Sequence, residues 1–270
     1  MEKRRPPQMQ TEITSSPLGD NIYDIAGPPA GFHCYLVVGE DKALLIDTGM
    51  GIGSLKKEIA NITDLPVQVI CTHGHPDHVG GTGEFDAFML WEADNDVCSE
   101  MGTQEFRAVD VSHMPNGENF IKVLQPTGPA PTPVEDGQMI NLGGRKLRII
   151  TAPGHTHGSI CIYDESTGAL FTGDNVQGEE TALREWNASS LEEYIETLQK
   201  LKTFAPKVLY GGHRPNVISP ENIDKYIACA SDVIGGAEGE EHKMRFGGSC
   251  LAYEKDGVRI CYTKENIHRK

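Results

Sequence analysis

The chain has 270 residues, 38% of them hydrophobic and 23% charged, a composition that excludes disorder and supplies enough length to bury a core without metal or disulfide support. The net charge of -15, from 24 basic and 39 acidic residues, repels phosphate backbones and anionic membranes at long range, so neither nucleic acid nor a membrane surface is expected as a partner. The 7 cysteines are scattered with no CxxC pair, which disfavours a zinc ribbon or dithiol motif and reads as buried thiols in a reducing compartment.

Residues 1–10 are polar and proline-bearing and read as a loose tail, with no apolar region of a signal peptide behind them. No run approaches the roughly 18 apolar residues of a membrane span, so a cytoplasmic protein is expected. Residues 35–38 and 43–46 flank a polar turn as a hairpin, and residues 55–62 have helical character. A β-rich run at 67–71 leads straight into a histidine cluster, followed by a short strand at 88–91 and a helix at 92–101. From 102 to 133 the pattern fades into Gly, Pro and Asn and reads as one long loop. A strand at 145–150 precedes a second hairpin, 159–163 with 169–172. Leu191, Tyr194, Ile195, Leu198 and Leu201 share one helical face, with Ser189 or Ser190 as N-cap. A strand at 207–210 is followed by a helix with Ser219 as N-cap and Pro220 at its first position. The glycine-rich segment 235–248 reads as a lid or a dimer contact, and 250–253 with 258–262 as a terminal hairpin.

Segments 38–49 and 163–174 share a plan: strand, polar turn, Ala-Leu, then a loop with Thr, Gly and Asp. Either hairpins simply look alike or the chain holds two duplicated β/α halves. No Pro/Gly linker divides them, so one domain over 1–270 is expected.

The chemistry concentrates in His73-Gly74-His75-Pro76-Asp77-His78. Four ligand-type side chains within six residues crowd polar groups without reward unless a cation compensates them. Imidazole nitrogen and carboxylate oxygen suit zinc, iron or manganese. One short run cannot enclose two ions, so more donors must come from elsewhere. His155, Asp174 and His213 each stand where a β run ends in a glycine-bearing turn.

Asp47-Thr48-Gly49, the 73–78 run, His155, Asp174 and His213, in that order, resemble the metallo-β-lactamase superfamily, in its glyoxalase II/lactonase-like branch. The resemblance implies an α/β fold, a four-layer αββα sandwich with two mixed β-sheets. It implies two divalent ions, zinc first with iron or manganese as alternatives. His73, His75 and His155 would hold one, Asp77, His78 and His213 the other, with Asp174 bridging and Asp47 steadying the loop from behind. The implied activity is hydrolysis of an ester, thioester, lactone or phosphodiester in a small molecule by a metal-bridging hydroxide that Asp77 orients. Aspartate at 174 departs from true zinc β-lactamases, which resemble this chain but commonly carry cysteine there. The segment after His213 is shorter than the glutathione-binding extension of glyoxalase II-like proteins, and neither a nuclease insertion nor a flavodoxin domain is visible. A persulfide dioxygenase with a single iron resembles the same motif set and is the alternative, followed by a catalytically silent metal-binding protein. His33, Trp186 and Tyr210 are candidate substrate contacts, as is Arg214 beside His213, and Met114 or Phe120 is a candidate pocket wall. A homodimer is compatible with all of this.

Overall fold

Strands buried on both faces need apolar side chains on both, and this property sets the layers. The computed structural model describes residues 12–28, 31–114, 117–184, 186–243 and 249–269. The tail read over 1–10 and residues 244–248 of the glycine-rich segment lie outside them.

In chain order come β1 (Thr14–Gly19), β2 (Ile22–Gly27), β3 (Phe32–Val38), β4 (Ala43–Ile46), α1 (Leu55–Ile59), β5 (Val67–Ile70), α2 (Pro76–Val79) and β6 (Met89–Leu90). Then follow α3 (Asn95–Met101), α4 (Gln104–Ser112), α5 (Gly117–Ile121), β7 (Thr132–Pro133), β8 (Met139–Asn141), β9 (Lys146–Thr151), β10 (Ile160–Asp164) and β11 (Ala169–Gly173). The remainder is β12 (Glu180–Leu183), α6 (Leu191–Lys202), β13 (Val208–Gly211), β14 (Val217–Ile218), α7 (Glu221–Ile234), β15 (Glu240–Lys243), β16 (Ser249–Lys255) and β17 (Val258–Tyr262).

Two mixed sheets face one another, ordered β1-β2-β3-β4-β5-β6-β7 and β14-β13-β11-β10-β9-β8. Between them lie Tyr35, Val37, Leu44 and Ile46 from one sheet and Leu147, Ile149, Ile160, Ile162 and Phe171 from the other. The alternate residues point outward. Leu36, Ala43 and Leu45 pack on Leu55 and Ile59 of α1. Ile150, Cys161, Leu170 and Leu209 pack on Leu191, Tyr194 and Leu198 of α6 and on Tyr226 and Val233 of α7. Period-two alternation thus gives the αββα order directly.

The halves repeat in topology as well as in sequence. β3 and β4 pair antiparallel and β4 continues through α1 into parallel β5. β10, β11, α6 and β13 do the same in the second sheet. A third sheet, β12-β17-β16-β15, stands outside the two-sheet expectation. The terminal hairpin was readable, but β12 is only four residues of mixed polarity, Glu-Thr-Ala-Leu, and joins it through long-range parallel pairing.

Helix starts follow their caps. Ser190, not Ser189, caps α6 in a reciprocal capping box with Glu193. Pro220, expected at the first helical position, occupies the cap position of α7, so the helix starts one residue later than expected. The loop read over 102–133 is corrected: it contains α4, α5 and β7. α4 buries Arg107 and Val111 while leaving Val109 61% exposed, so its outward face looks like a core face. Arg107 is tolerated inside because it donates to the carbonyls of Met50, Gly102, Gln125 and Pro126. No helix among the described residues is long and apolar enough to cross a membrane.

Candidate metal centre

Loops following β4, β5, β9, β11 and β13 all emerge at one edge of the sandwich and carry Asp47, His73 to His78, His155, Asp174 and His213. Strand carboxyl ends are where open α/β sheets place ligands. Close packing there demands glycine. A Cβ on Gly212 would lie 2.4 Å from Asp174 Oδ1, and Gly173 takes φ of +50° with Thr72 2.6 Å from where its Cβ would stand.

The side chains converge in two groups. Donor atoms of His73, His75 and His155 lie within 4.8 Å of one another, as do those of Asp77, His78 and His213. His75 Nδ1 faces His155 Nε2 at 2.9 Å. His213 Nε2 lies 3.4 Å from Asp77 Oδ2. Asp174 stands between the groups, with Oδ1 3.4 Å from His78 Nε2 and Oδ2 3.7 Å from His155 Nε2 and 3.1 Å from His213 Nε2. These spacings compare with about 3.4 Å between donors at 2.1 Å around a tetrahedral ion.

Each imidazole turns one nitrogen inward and anchors the other, the arrangement that fixes a metal-binding tautomer. His78 Nδ1 meets Asp47 Oδ2 at 2.9 Å, His155 Nδ1 meets the Ala182 carbonyl at 2.6 Å, and His213 Nδ1 meets the Gly31 carbonyl at 2.9 Å. His73 Nδ1 meets Thr72 Oγ1 at 3.0 Å, and His75 Nε2 lies 3.4 Å from the Asn187 amide. Nε2 of His73 and of His78 are buried without a hydrogen-bond partner. His73 Nε2 is costly to bury unless a cation meets it, and His78 Nε2 has only the Asp174 and Asp77 carboxylates near it, at 3.4 and 3.7 Å. The residues therefore fit divalent metal.

The electrostatics agree. Burial depresses His73 and His75 and pushes His155 down to about 4, leaving neutral donors. Burial would also lower His78 and His213, but Asp47, Asp174 and Asp77 override it for His78, and Asp174 with Asp77 raise His213 to about 10. Burial opposes ionisation of Asp77, yet His78 and His213 bring it down to about 2. Imidazoles whose protons are held by neighbouring carboxylates are the groups from which a metal ion would displace protons on binding.

Asp47 serves both groups. It accepts from the Thr72 amide at 2.7 Å and from Thr72 Oγ1 at 2.9 Å, and Thr72 in turn holds His73. It does so at φ +63°, a conformation unfavourable for a non-glycine residue. Asp47→Ala is expected to weaken metal binding about 10–100-fold, measured by competition with a chromophoric chelator. Unchanged affinity would assign Asp47 to the fold alone.

Several supporting residues carried no sequence signal. Asp94, fully buried, accepts from the Gly74 amide at 2.7 Å, Thr156 Oγ1 at 2.8 Å and the Gly158 amide at 2.9 Å, stapling the 73–78 loop to the His155 loop. Asn175 accepts from the His155 amide at 2.8 Å. Gln177 donates to Asp174 Oδ1 at 2.7 Å and accepts from the His213 amide at 3.3 Å.

A cleft of about 760 Å³ opens above the centre. His75, Asp77, His155, Asp174 and His213 reach it, while His73 and His78 lie beneath, fully buried. Phe32, Met50, Met101, Phe106, Val109 and Met114 form its apolar wall. Of the two candidate wall residues Met114 takes part, whereas Phe120 packs behind it. Of the candidate substrate contacts, Arg214 lines the cleft, whereas the other three do not. Tyr210 alternates inward from β13 and packs on Tyr35 and Phe171 between the sheets. Trp186 sits on a turn after β12, 66% exposed and outside the cleft lining. His33 is 2% exposed and lies behind the cleft, its ring between Asp24 and Arg214.

Known proteins share this architecture. A model of the metallo-β-lactamase superfamily matches residues 29–87 and 100–213. The acyl-coenzyme A thioesterase MBLAC2 of Bos taurus is 28% identical over 257 residues, covering 84% of this chain and 88% of that protein. The atrochrysone carboxyl ACP thioesterase of Emericella nidulans is 31% identical over 206 residues, covering 73% of this chain and 56% of that protein. Among solved structures, the DIM-1 metallo-β-lactamase exposed to ceftazidime superposes with a TM-score of 0.63 at 13% identity, over 84% of this chain and 100% of that one. A metallo-β-lactamase family protein from Thermus thermophilus gives 0.61 at 22% identity, over 81% and 82%. At such identities the structural likeness speaks to fold alone. The family match spans well over half of the sequence and takes in every donor that meets at the strand ends, so the chain belongs to the metallo-β-lactamase superfamily and is an enzyme of that metal-dependent hydrolase class.

Proposed function

We propose that this enzyme is a binuclear hydrolase of small-molecule thioesters. The observation that carries the reading is the cleft, which sets two donor groups on its floor beside apolar side chains, Phe32, Met50, Met101, Phe106, Val109 and Met114, suited to an acyl chain. The thioesterases named among its relatives support the same substrate class.

His73, His75 and His155 would hold one ion and Asp77, His78 and His213 the other, with Asp174 shared. Nitrogen and carboxylate donors make zinc the first choice, ahead of iron or manganese. Bound divalent ions acidify water to a nucleophile at neutral pH and polarise the carbonyl under attack. The chain's own residues do the rest. Asp77 faces the cleft and accepts a hydrogen bond from the attacking water, fixing its approach. Gln177 keeps the Asp174 carboxylate turned inward, and the Asp47–Thr72 pair holds His73 and His78 in register. Phe32, Phe106 and Val109 shed water from the acyl side.

Metal-quantified turnover of a thioester, lactone, phosphodiester and persulfide panel tests this reading. The expected result is two zinc ions per chain, thioester hydrolysis, and its loss on chelation with recovery on zinc readdition. Oxygen uptake with the persulfide alone, and one iron per chain, would replace the hydrolase reading with the dioxygenase one.

A further inference from the structure

Arg214 follows the ligand His213, lines the cleft and is solvent-exposed. An exposed arginine ordinarily keeps its rotamer freedom. This one is restrained from behind. Its Nε–H donates to His33 Nε2 at 3.3 Å, and His33 Nδ1 lies 2.7 Å from Asp24 Oδ1. A guanidinium only donates, so His33 Nε2 accepts and Nδ1 carries the proton that Asp24 receives. The backbone adds a further constraint, since the His33 amide donates to the Gly212 carbonyl at 2.9 Å.

Burying a histidine at 2% exposure against an aspartate whose side chain is 15% exposed costs desolvation that an exposed arginine does not need for its own stability. What the arrangement achieves is orientation. It engages the Nε edge of the guanidinium and leaves the Nη edge, which makes no hydrogen bond among the described residues, as a preset fork. Such a fork matches a carboxylate or phosphate in two-point contact. Glu179 and Glu180 also line the cleft, Glu180 within ion-pair distance of Arg184 and Arg259, so Arg214 faces the cleft as a cation that no neighbouring carboxylate among the described residues occupies.

We propose that Arg214, positioned by His33 and Asp24, is an oxyanion subsite that makes the enzyme select thioesters bearing a carboxylate or phosphate. The proposal rests on the thioester reading for its substrates, though not for its binding test. Carboxylate on the acyl group and phosphate on the thiol carrier are the two sources of that oxyanion.

Three thioesters separate them, assayed on the metal-loaded enzyme. Butyryl-N-acetylcysteamine is neutral, glutaryl-N-acetylcysteamine carries an acyl-side carboxylate, and butyryl-coenzyme A carries thiol-side phosphates. Arg214→Gln is expected to lower the ratio of kcat/KM for one anionic substrate over the neutral one by about tenfold or more, through KM, the range of one charge-assisted hydrogen bond. A drop confined to the glutaryl ester assigns the carboxylate, and one confined to the coenzyme A ester assigns the phosphate. Asp24→Asn and His33→Phe should move the same ratio in the same direction, and His33→Gln, which keeps a donor and an acceptor, should restore part of it. A ratio unchanged for both anionic substrates in Arg214→Gln overturns the proposal, and the exposed position of Arg214 keeps that variant folded. Should the wild-type enzyme turn over none of the three, the thioester reading fails by itself. Calorimetric titration of coenzyme A and of glutarate then decides the subsite: binding of either that is about tenfold weaker in Arg214→Gln supports it, and equal binding of both overturns it.

Discussion

Asp174→Ala is expected to abolish measurable turnover and to lower metal content below that of the wild-type enzyme. Asp174 is the side chain that addresses both donor groups, through Oδ1 toward His78 and through Oδ2 toward His155 and His213. Its carboxylate is held well below the ordinary range: burial pushes it up, but His213 and His78 outweigh burial. In the binuclear reading, truncation would remove a shared ligand and also the negative charge that would let two cations sit side by side. Several kcal/mol of transition-state charge stabilisation depend on those ions, which corresponds to a loss of about 10³-fold or more in kcat. Asp174→Asn, which preserves shape and a bond to Gln177, should retain more metal than alanine while remaining far below wild type. Plasma-mass-spectrometric metal counts beside initial rates check both variants. Full activity at unchanged metal content would remove Asp174 from the centre.

The sequence made the donors visible, and with the resemblance Asp47, but left their other supports invisible, for one physical reason. His73 to His78 are neighbours in the chain, and His155, Asp174 and His213 each follow a β run and precede or follow glycine, so local pattern suffices. Asp94, Asn175 and Gln177 act only because distant loops approach them, and nothing about a single polar residue in a loop announces that approach. The αββα order was implied by the family resemblance, and β4 and β10, with apolar residues on both faces, agree with it. α4 was not legible, because its inward face carries Arg107 and its outward face Phe106 and Val109. That inversion has a functional origin, since the outward face lines the cleft. Tyr210 shows the opposite error. Adjacency to a ligand strand suggested contact with substrate, but alternation along β13 turns it into the core. His33, expected to contact substrate, is buried behind the cleft and would reach substrate only through Arg214 in the reading proposed above.

At the opposite end of the sandwich, away from the chemistry, Asp164→Asn is expected to destabilise the fold by about 3–5 kcal/mol, the loss seen when one partner of a buried ion pair is removed. Asp164 is fully buried at the end of β10 and Arg145 is 8% exposed. Arg145 Nε donates to Asp164 Oδ2 at 2.9 Å, its Nη2 reaches the same oxygen, and its Nη1 donates to the Asp20 carbonyl at 2.5 Å and the Val38 carbonyl at 3.5 Å. The pair therefore ties the second sheet to the β1–β2 turn and the end of β3 in the first. Asp164 also accepts from Ser166 Oγ at 2.7 Å and Thr167 Oγ1 at 2.8 Å, which fixes the β10–β11 turn. Asparagine leaves the guanidinium buried without its counter-charge, and the melting temperature should fall by roughly 6–20 °C. The pH dependence gives the sign. Burial pushes the Asp164 carboxyl up, but Arg145, Ser166 and Thr167 bring it below its ordinary value. Its contribution is therefore fully present above the unfolded value of about 3.9 and is lost as pH falls through the lower folded value. The stability gap between wild type and Asp164→Asn should accordingly be constant near neutrality and close in acid, as the wild-type carboxyl protonates. A gap that stays constant into acid would trace the loss to turn geometry instead of charge. The double replacement Arg145→Met, Asp164→Leu, which removes both charges and fills the space, should recover much of the lost stability. Turnover per folded molecule should stay at the wild-type level in all of these variants, because the pair and the metal centre occupy opposite strand ends of the same two sheets.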